Sequence, residues 1–194
     1  MEIVLVRPEN GRAKIHELGK EIRIIIPSRK NWFTILFMGF WLCGWAVGEF
    51  SVPLVILSDD APGGMDIFLI AWLVAWTVGG ILAIRNFLWN LIGHEEIIIS
   101  SNTISIARKI AGIGRNKEYL LSEAKRFRVS LGRSSPWANA GRSLDFWGLK
   151  QGRIKFDYGM KTIRFAGPID EAEATNVLEL LKSRGFIREA NVSM

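Results

Sequence analysis

Two stretches, WFTILFMGFWLCGWAVGEFSVPLVIL (residues 32–57) and IFLIAWLVAWTVGGILAIRNFLWNL (residues 67–91), decide how this chain reads. Each contains one charge, Glu49 in the first and Arg85 in the second. Each is roughly 25 residues long, against the ~20 a helix needs to cross ~30 Å of hydrocarbon. A soluble helix seldom stays apolar on every side for that distance. Between them, Ser58-Asp59-Asp60-Ala61-Pro62-Gly63-Gly64 is rich in turn formers and too short to cross anything. The pair therefore predicts a transmembrane helical hairpin.

The flanks predict its orientation. Arg23, Arg29 and Lys30 precede the first span, whereas the turn region carries Asp59, Asp60 and Asp66 and no Lys or Arg. Basic flanks stay on the cytoplasmic side, so both termini are expected in the cytoplasm with the acidic turn outside. Trp32 and Trp89 then fall at the cytoplasmic headgroup level. The apolar run Ile3–Val6 is too short for a signal peptide and has no cleavage site.

Charge is unevenly spread. Residues 1–31 carry seven basic and four acidic groups, residues 32–91 one and four, and residues 92–194 seventeen and eleven. The three segments thus hold +3, −3 and +6, in line with the formal +6 of the chain. A basic domain beside an anionic leaflet gains about 1 kcal/mol per nearby Lys or Arg, so lipid accounts for the charge and nucleic acid is not needed. Cys43 is the only cysteine and lies in the first span, which excludes an intramolecular disulfide and a cysteine-based metal site. His16 and His94 are far apart in sequence, so no metal or haem cofactor is expected.

After the second span the apolar period changes from helical to alternating. Strands are predicted at Glu95–Ser100, Thr103–Arg108, Lys117–Leu121, Arg126–Leu131, Leu144–Leu149, Arg153–Tyr158 and Thr162–Ala166. Ala111-Gly112-Ile113-Gly114 reads as a break between the second and third, and Arg126–Leu131 reads as strict alternation. A polar loop spans Gly132 to Ser143. Asp170, with Glu173 three residues on, has the pattern of a capping box. Ala174, Val177, Leu178 and Leu181 then follow helical spacing, and Gly185 suits the stop. The expected fold class is membrane α+β: a two-helix hairpin, then a bent antiparallel sheet of about seven strands with a C-terminal helix. The expected division is an N-terminal cytoplasmic arm (1–31), the hairpin (32–91) and a cytoplasmic domain (92–194). Within the arm, Glu2–Val6 and Glu21–Ile26 read as short strands. They either add to the domain's sheet or form a surface arm.

Several motifs carry a family resemblance across about residues 21–185. They are Ile26-Pro27-Ser28-Arg29-Lys30-Asn31-Trp32-Phe33, Gly93-His94-Glu95-Glu96-Ile97, Gly112-Ile113-Gly114-Arg115-Asn116-Lys117-Glu118-Tyr119 and Phe165-Ala166-Gly167-Pro168-Ile169-Asp170-Glu171-Ala172-Glu173-Ala174. The order resembles the pleckstrin-homology-like superfold, and the pattern is similar to small bacterial membrane proteins with a two-helix hairpin directly before such a domain. In layout alone it is also similar to photosystem assembly factors of plastids and cyanobacteria. The resemblance implies a pleckstrin-homology-like domain in the bacterial inner membrane. None of the motifs is catalytic.

Candidate sites fall into two groups. Within the hairpin, a bend near Ala61 matches residues whose numbers add to about 122. Glu49 then faces Leu73, and lies on the order of 18 Å along the membrane normal from Arg85, too far to pair. Arg85 sits near the cytoplasmic boundary, where it can snorkel. Trp41 and Trp45, like Trp72 and Trp76, are four apart and share a helix face. With Gly39, Gly44, Gly48, Gly79 and Gly80 allowing close approach, these Trp residues read as packing within the hairpin or against another copy. The sharper alternative is an intramembrane surface, Trp41, Trp45, Glu49, Trp72, Trp76 and Arg85, for a partner subunit or an apolar ligand such as a quinone or pigment. No axial histidine lies in either span, which weighs against a pigment.

In the domain, Arg108, Lys109, Arg115, Lys117, Arg126 and Arg128, with Lys125, Arg133 and Arg142, form a candidate lipid-headgroup or partner surface. Phosphoinositide-binding members of the superfold put their basic motif on the first two strands. Here Glu95–Ser100 has no Lys or Arg, which argues against an inositol-phosphate pocket. Trp137, in the polar loop, reads as an interface anchor, a residue tucked on the sheet, or a membrane-dipping side chain. Gly112 and Gly114 lack the remaining residues of a nucleotide-binding loop and read as turn chemistry. Asp145 and Asp157 read as isolated acids on a polar face. No nucleophile–base–acid arrangement is recognisable, so no enzyme activity and no catalytic residue is expected. The expected function is non-catalytic binding, as scaffold, assembly factor or accessory subunit. The expected partners are membrane lipid and an integral membrane protein or complex, or a further copy of the chain.

Overall fold

A computed structural model of the chain describes residues 4–6, 11–58, 66–130 and 152–187. The chain forms two compact units, residues 30–91 and the combination of 1–29 with 92–194.

The first unit is a helical hairpin of α1 (Trp32–Leu57) and α2 (Asp66–Ile92). Asn31 starts α1, its Oδ1 accepting the Thr34 N–H at 3.3 Å. The Ser58 N–H closes the helix on the Leu54 carbonyl at 3.0 Å. Both helices are long and apolar enough to cross a membrane, by length and composition. Their bulky side chains point outward: Phe40 is 83% exposed, and Phe33, Leu36, Val47, Phe50, Leu54, Ile67 and Val74 are likewise exposed. Pro53 lies inside α1. It lacks the N–H that would have bonded the Glu49 carbonyl one turn earlier.

The second unit holds nine strands, among the described residues, in two antiparallel sheets. The larger sheet has β1 (Val4–Val6), β2 (Lys14–Leu18), β3 (Glu21–Pro27), β4 (Gly93–Ile99), β5 (Thr103–Ile110) and β6 (Ile113–Leu120), paired in that order. The smaller has β7 (Ala124–Val129), β8 (Ile154–Tyr158) and β9 (Lys161–Phe165), also in order. Helix α3 (Glu171–Ser183) follows. The hairpin is thus an insertion between two hydrogen-bonded strands. The β3–β4 ladder runs from Ile22↔Ile99 to Pro27↔His94, and one further bond joins the Ser28 N–H to the Gly93 carbonyl at 2.9 Å. No residue separates α2 from β4.

Period-two alternation explains the core. Ile22, Ile24 and Ile26 of β3 lie beside Ile97 and Ile99 of β4 and Ile104 of β5, all essentially inaccessible. Each such side chain contributes about 1.5–3 kcal/mol on burial. Phe127, Phe156 and Phe165 supply the smaller sheet's share, and Ala174, Val177, Leu178 and Leu181 that of α3. Tyr119 of β6 meets Phe156 and Tyr158 of β8 edge-on, at ring separations of 5.6 and 5.2 Å.

Three polar links tie remote segments together. The buried Glu173 carboxylate accepts the Ala13 N–H at 2.6 Å, and Glu17 of β2 forms an ion pair with Arg184 at 3.0 Å. Glu95, 1% exposed, accepts the N–H groups of Ala166 and Gly167 at 3.2 and 3.1 Å. These two amides follow β9, and Ala166 has φ +58°. Glu95 therefore holds a strained corner between β9 and α3.

Helix α3 keeps the expected cap, with Asp170 Oδ1 accepting the Glu173 N–H at 2.8 Å, and Gly185 takes φ +74° after its end. The expected strand Leu144–Leu149 lies outside the described residues. The third strand after the hairpin starts at Ile113 rather than Lys117. Ala111 and Gly112, at φ +50° and +81°, form a two-residue turn that brings Ile110 opposite Ile113. Gly114 is thus a strand residue, where a Cβ would overlap the Arg108 carbonyl. The alternation expected from Arg126 holds as far as Val129, with Phe127 buried, Val129 packed on the core and both arginines turned to Asp157. The strand itself starts earlier, at Ala124. Arg126 takes φ +53° and the register shifts between Lys125 and Arg128, a bulge that leaves Ala124 and Phe127 both buried.

Candidate functional site

In the hairpin, each indole of one tryptophan pair donates to the other's backbone. Trp45 Nε1 donates to the Trp76 carbonyl at 3.1 Å, and Trp76 Nε1 to the Trp45 carbonyl at 3.3 Å. Glycine makes this possible. A Cβ on Gly80 would overlap the Trp45 ring, and one on Gly48 would stand 3.3 Å from Trp76 Nε1. Trp72 stacks on Trp76 at 4.7 Å and Trp41 approaches it at 6.0 Å. The four tryptophans form one cluster, in which Trp45 and Trp76 are committed to the helix–helix contact.

Glu49 reaches Thr77, whose Oγ1 lies 2.7 Å from Glu49 Oε1 and 2.8 Å from the Leu73 carbonyl. The depth match to Leu73 is thus displaced by one helical turn. Thr77 has a single hydroxyl proton for these two acceptors. Glu49 Oε2 is buried with no hydrogen-bond partner among the described residues. No ion pair joins Glu49 to Arg85 among the described residues, and Arg85 is exposed. Near the other end, Asn86 Nδ2 approaches Met38 Sδ at 3.5 Å, and Asn90 Nδ2 donates to the Asn86 carbonyl at 2.8 Å.

The basic positions of the domain separate into three environments. Arg126 and Arg128 converge on Asp157. Arg126 Nε lies 2.8 Å from Oδ2, and Arg128 grips both oxygens, at 3.1 and 3.0 Å. Thr162 adds a hydroxyl at 2.8 Å. These contacts, the Arg128 hydrogen bonds first, lower the Asp157 carboxyl to about 2. Asp157 is therefore no isolated acid. The bulge at Arg126 brings two arginines of one strand to a single carboxylate.

Lys109 pairs with Glu96, whose other oxygen lies 3.6 Å from Arg23 Nε. Arg108 stands opposite Glu95 in the β4–β5 register. Burial raises the Glu95 carboxyl, while Arg108 and the Gly167 and Ala166 amides oppose the rise. Arg115 and Lys117 lie on β6, the outer strand of the larger sheet, both exposed and with no acidic partner within ion-pair distance among the described residues. Trp137, Arg133, Arg142 and Asp145 lie outside the described residues.

Thr77 and Pro53 are members of these sites that the sequence reading does not name, and Asp157 is named there only as an isolated acid. Pro53 is readable, since it stands four residues after Glu49. The roles of Thr77 and Asp157 need a partner's position. Comparison with known proteins finds no matching family model and no matching curated relative.

Proposed function

We propose that this chain is a non-catalytic subunit or assembly factor of a membrane protein complex. Its hairpin spans a bacterial inner membrane with both termini cytoplasmic, and its pleckstrin-homology-like domain lies against the anionic leaflet. The observation that carries the partner reading is Glu49. An acceptor without a donor inside an apolar helix is costly in hydrocarbon, and polar groups in such segments are by default functional. Pro53 cannot supply the helical N–H that the Glu49 carbonyl would otherwise accept. A donor from a neighbouring membrane helix would satisfy the notch. The bulky apolar side chains displayed around both helices support the bilayer placement. The basic flanks before α1 support its orientation.

The test is extraction of the full chain from its native membrane in mild detergent, followed by mass spectrometry of the intact complex. Integral membrane subunits are expected to co-purify with wild type and to be lost from Glu49→Leu, which still integrates. A partner-free wild-type monomer would overturn the reading, and a visible absorption band would favour an apolar ligand on the tryptophan cluster instead.

A further inference from the structure

The larger sheet aligns two features that the sequence separates. Across one row, Ser28 bonds Gly93, Gly93 faces Ile110, and Ile110 faces Ile113. The first two residues join the sheet to the hairpin helices. The last two flank the tight Ala111–Gly112 turn. Strands lie about 4.8 Å apart, so the tip of the β5–β6 hairpin stands only about 10 Å to the side of the point where α2 becomes β4, at the same height along the strands.

The tip has the composition of a membrane-contacting element. Ile113, on the edge strand beside the turn, is 82% exposed. Behind it on β6 stand Arg115 and Lys117, exposed, and Arg108 is exposed across the ladder from Arg115. Glu95 is buried on Ala166 and Gly167, and Glu96 is buried against Lys109 and Arg23. Glu118 is exposed on β6, but strand alternation puts it on the face opposite Ile113, Arg115 and Lys117. The exposed charge on the Ile113 face of β6 is therefore basic, complementary to anionic headgroups.

We infer that the β5–β6 tip is a second membrane contact: Ile113 enters the headgroup–acyl boundary while Arg115 and Lys117 meet anionic lipid phosphates behind it. The occupant is the leaflet surface itself, and the inference rests on the membrane placement of the hairpin proposed above. The contact gives the domain a second point of attachment to the leaflet besides the covalent joins to the helices. It differs from a pocket on the turn between the first two strands after the hairpin. That turn, Ser101–Asn102, lies at the far end of the same strands.

The opposite end supplies an internal control. Met160, in the turn between β8 and β9, is fully exposed. It follows Tyr158, which packs on Tyr119 near the end of β6 remote from the tip. In a Cys43→Ser background, nitroxide labels at Val47→Cys, Ile113→Cys and Met160→Cys are compared in the full chain, reconstituted into vesicles containing phosphatidylglycerol. All three native side chains are exposed, so labelling does not cost packing. Labels at 47 and 113 are expected to collide with oxygen several-fold more than with a water-soluble nickel chelate, relative to the label at 160. A label at 113 as wet as that at 160, with 47 immersed, overturns the tip contact alone. A wet label at 47 overturns the spanning reading. Arg115→Glu with Lys117→Glu is expected to draw label 113 back toward water in anionic vesicles. No change in that variant removes the electrostatic half of the inference.

Discussion

Gly80→Ala adds a single methyl, and the structure assigns it a large effect. The new Cβ would overlap the Trp45 indole ring, whose Nε1 is engaged with the Trp76 carbonyl at 3.1 Å. Apolar contacts settle near 3.5–4.0 Å, so the ring or the helix must retreat by more than about an ångström. That retreat strains the packing, at about 1–3 kcal/mol, and breaks an interhelical hydrogen bond contributing about 0.6 kcal/mol. A loss of about 2–3 kcal/mol follows, a roughly 30- to 150-fold fall in the packed-to-separated ratio of the hairpin. The glycines grade themselves. Gly48→Ala meets Trp76 Nε1 at 3.3 Å and is expected to cost less, whereas Gly44 and Gly79 have nothing within 4 Å. Alanine at those two positions is expected to be neutral or mildly stabilising, since glycine is the poorer helix former. The assay is SDS titration of the detergent-solubilised chain, with the near-ultraviolet circular dichroism of the tryptophan cluster as readout. The predicted order of destabilisation is Gly80 first, Gly48 next, Gly44 and Gly79 last. Gly80→Ala as stable as Gly44→Ala would refute the helix–helix register itself.

Two further predictions concern the domain. Burial raises the Glu95 carboxyl, so its ionisation works against folding: its contribution is fully present below the ordinary carboxylate range and is lost as pH rises through the elevated value. Denaturant melts across pH should show this slope in wild type and not in Glu95→Gln. Glu95→Ala, which orphans the Ala166 and Gly167 amides, should lose about 2–4 kcal/mol at low pH, where the carboxyl is protonated, and less as pH rises through the elevated value. Asp157 has the opposite sign. Its lowered carboxyl contributes stability above the ordinary aspartate range, and loses it as pH falls toward about 2. A carboxyl titration by NMR should place its midpoint near that value, and Arg128→Ala should move it upward. An unmoved midpoint would mean that Arg128 is not its principal partner.

Legibility in the sequence followed the range of the forces involved. Helix α1 runs over Trp32–Leu57, as the apolar run predicts, because length, hydropathy and the Asn31 cap are properties of neighbouring residues. The α3 cap at Asp170 is local for the same reason. The third strand's start was misplaced because an alanine at positive φ has no distinctive sequence signal. The start of β7 at Ala124 is hidden by a bulge, whose extra residue lets both Ala124 and Phe127 be buried out of simple alternation. For the candidate sites, the lists of basic and aromatic residues could be read from the chain, and their partners could not. Which arginines are spent on Asp157 depends on β7–β8 pairing, and which polar group meets Glu49 depends on the pitch of two helices in contact.

The sequence by itself determined that two apolar helices follow each other around a short turn, and that a basic, strand-rich segment with a capped C-terminal helix comes after them. Tertiary structure alone decided that residues 14–27 belong to the same sheet as residues 93–120, with Ile22 beside Ile99 across an inserted hairpin. It also decided that Gly93, Ile110 and Ile113 share one row. The physical reason is that strand hydrogen bonds are made by backbone groups common to every residue. Which strands pair is settled by which apolar faces can be buried together, and that is a property of the whole chain.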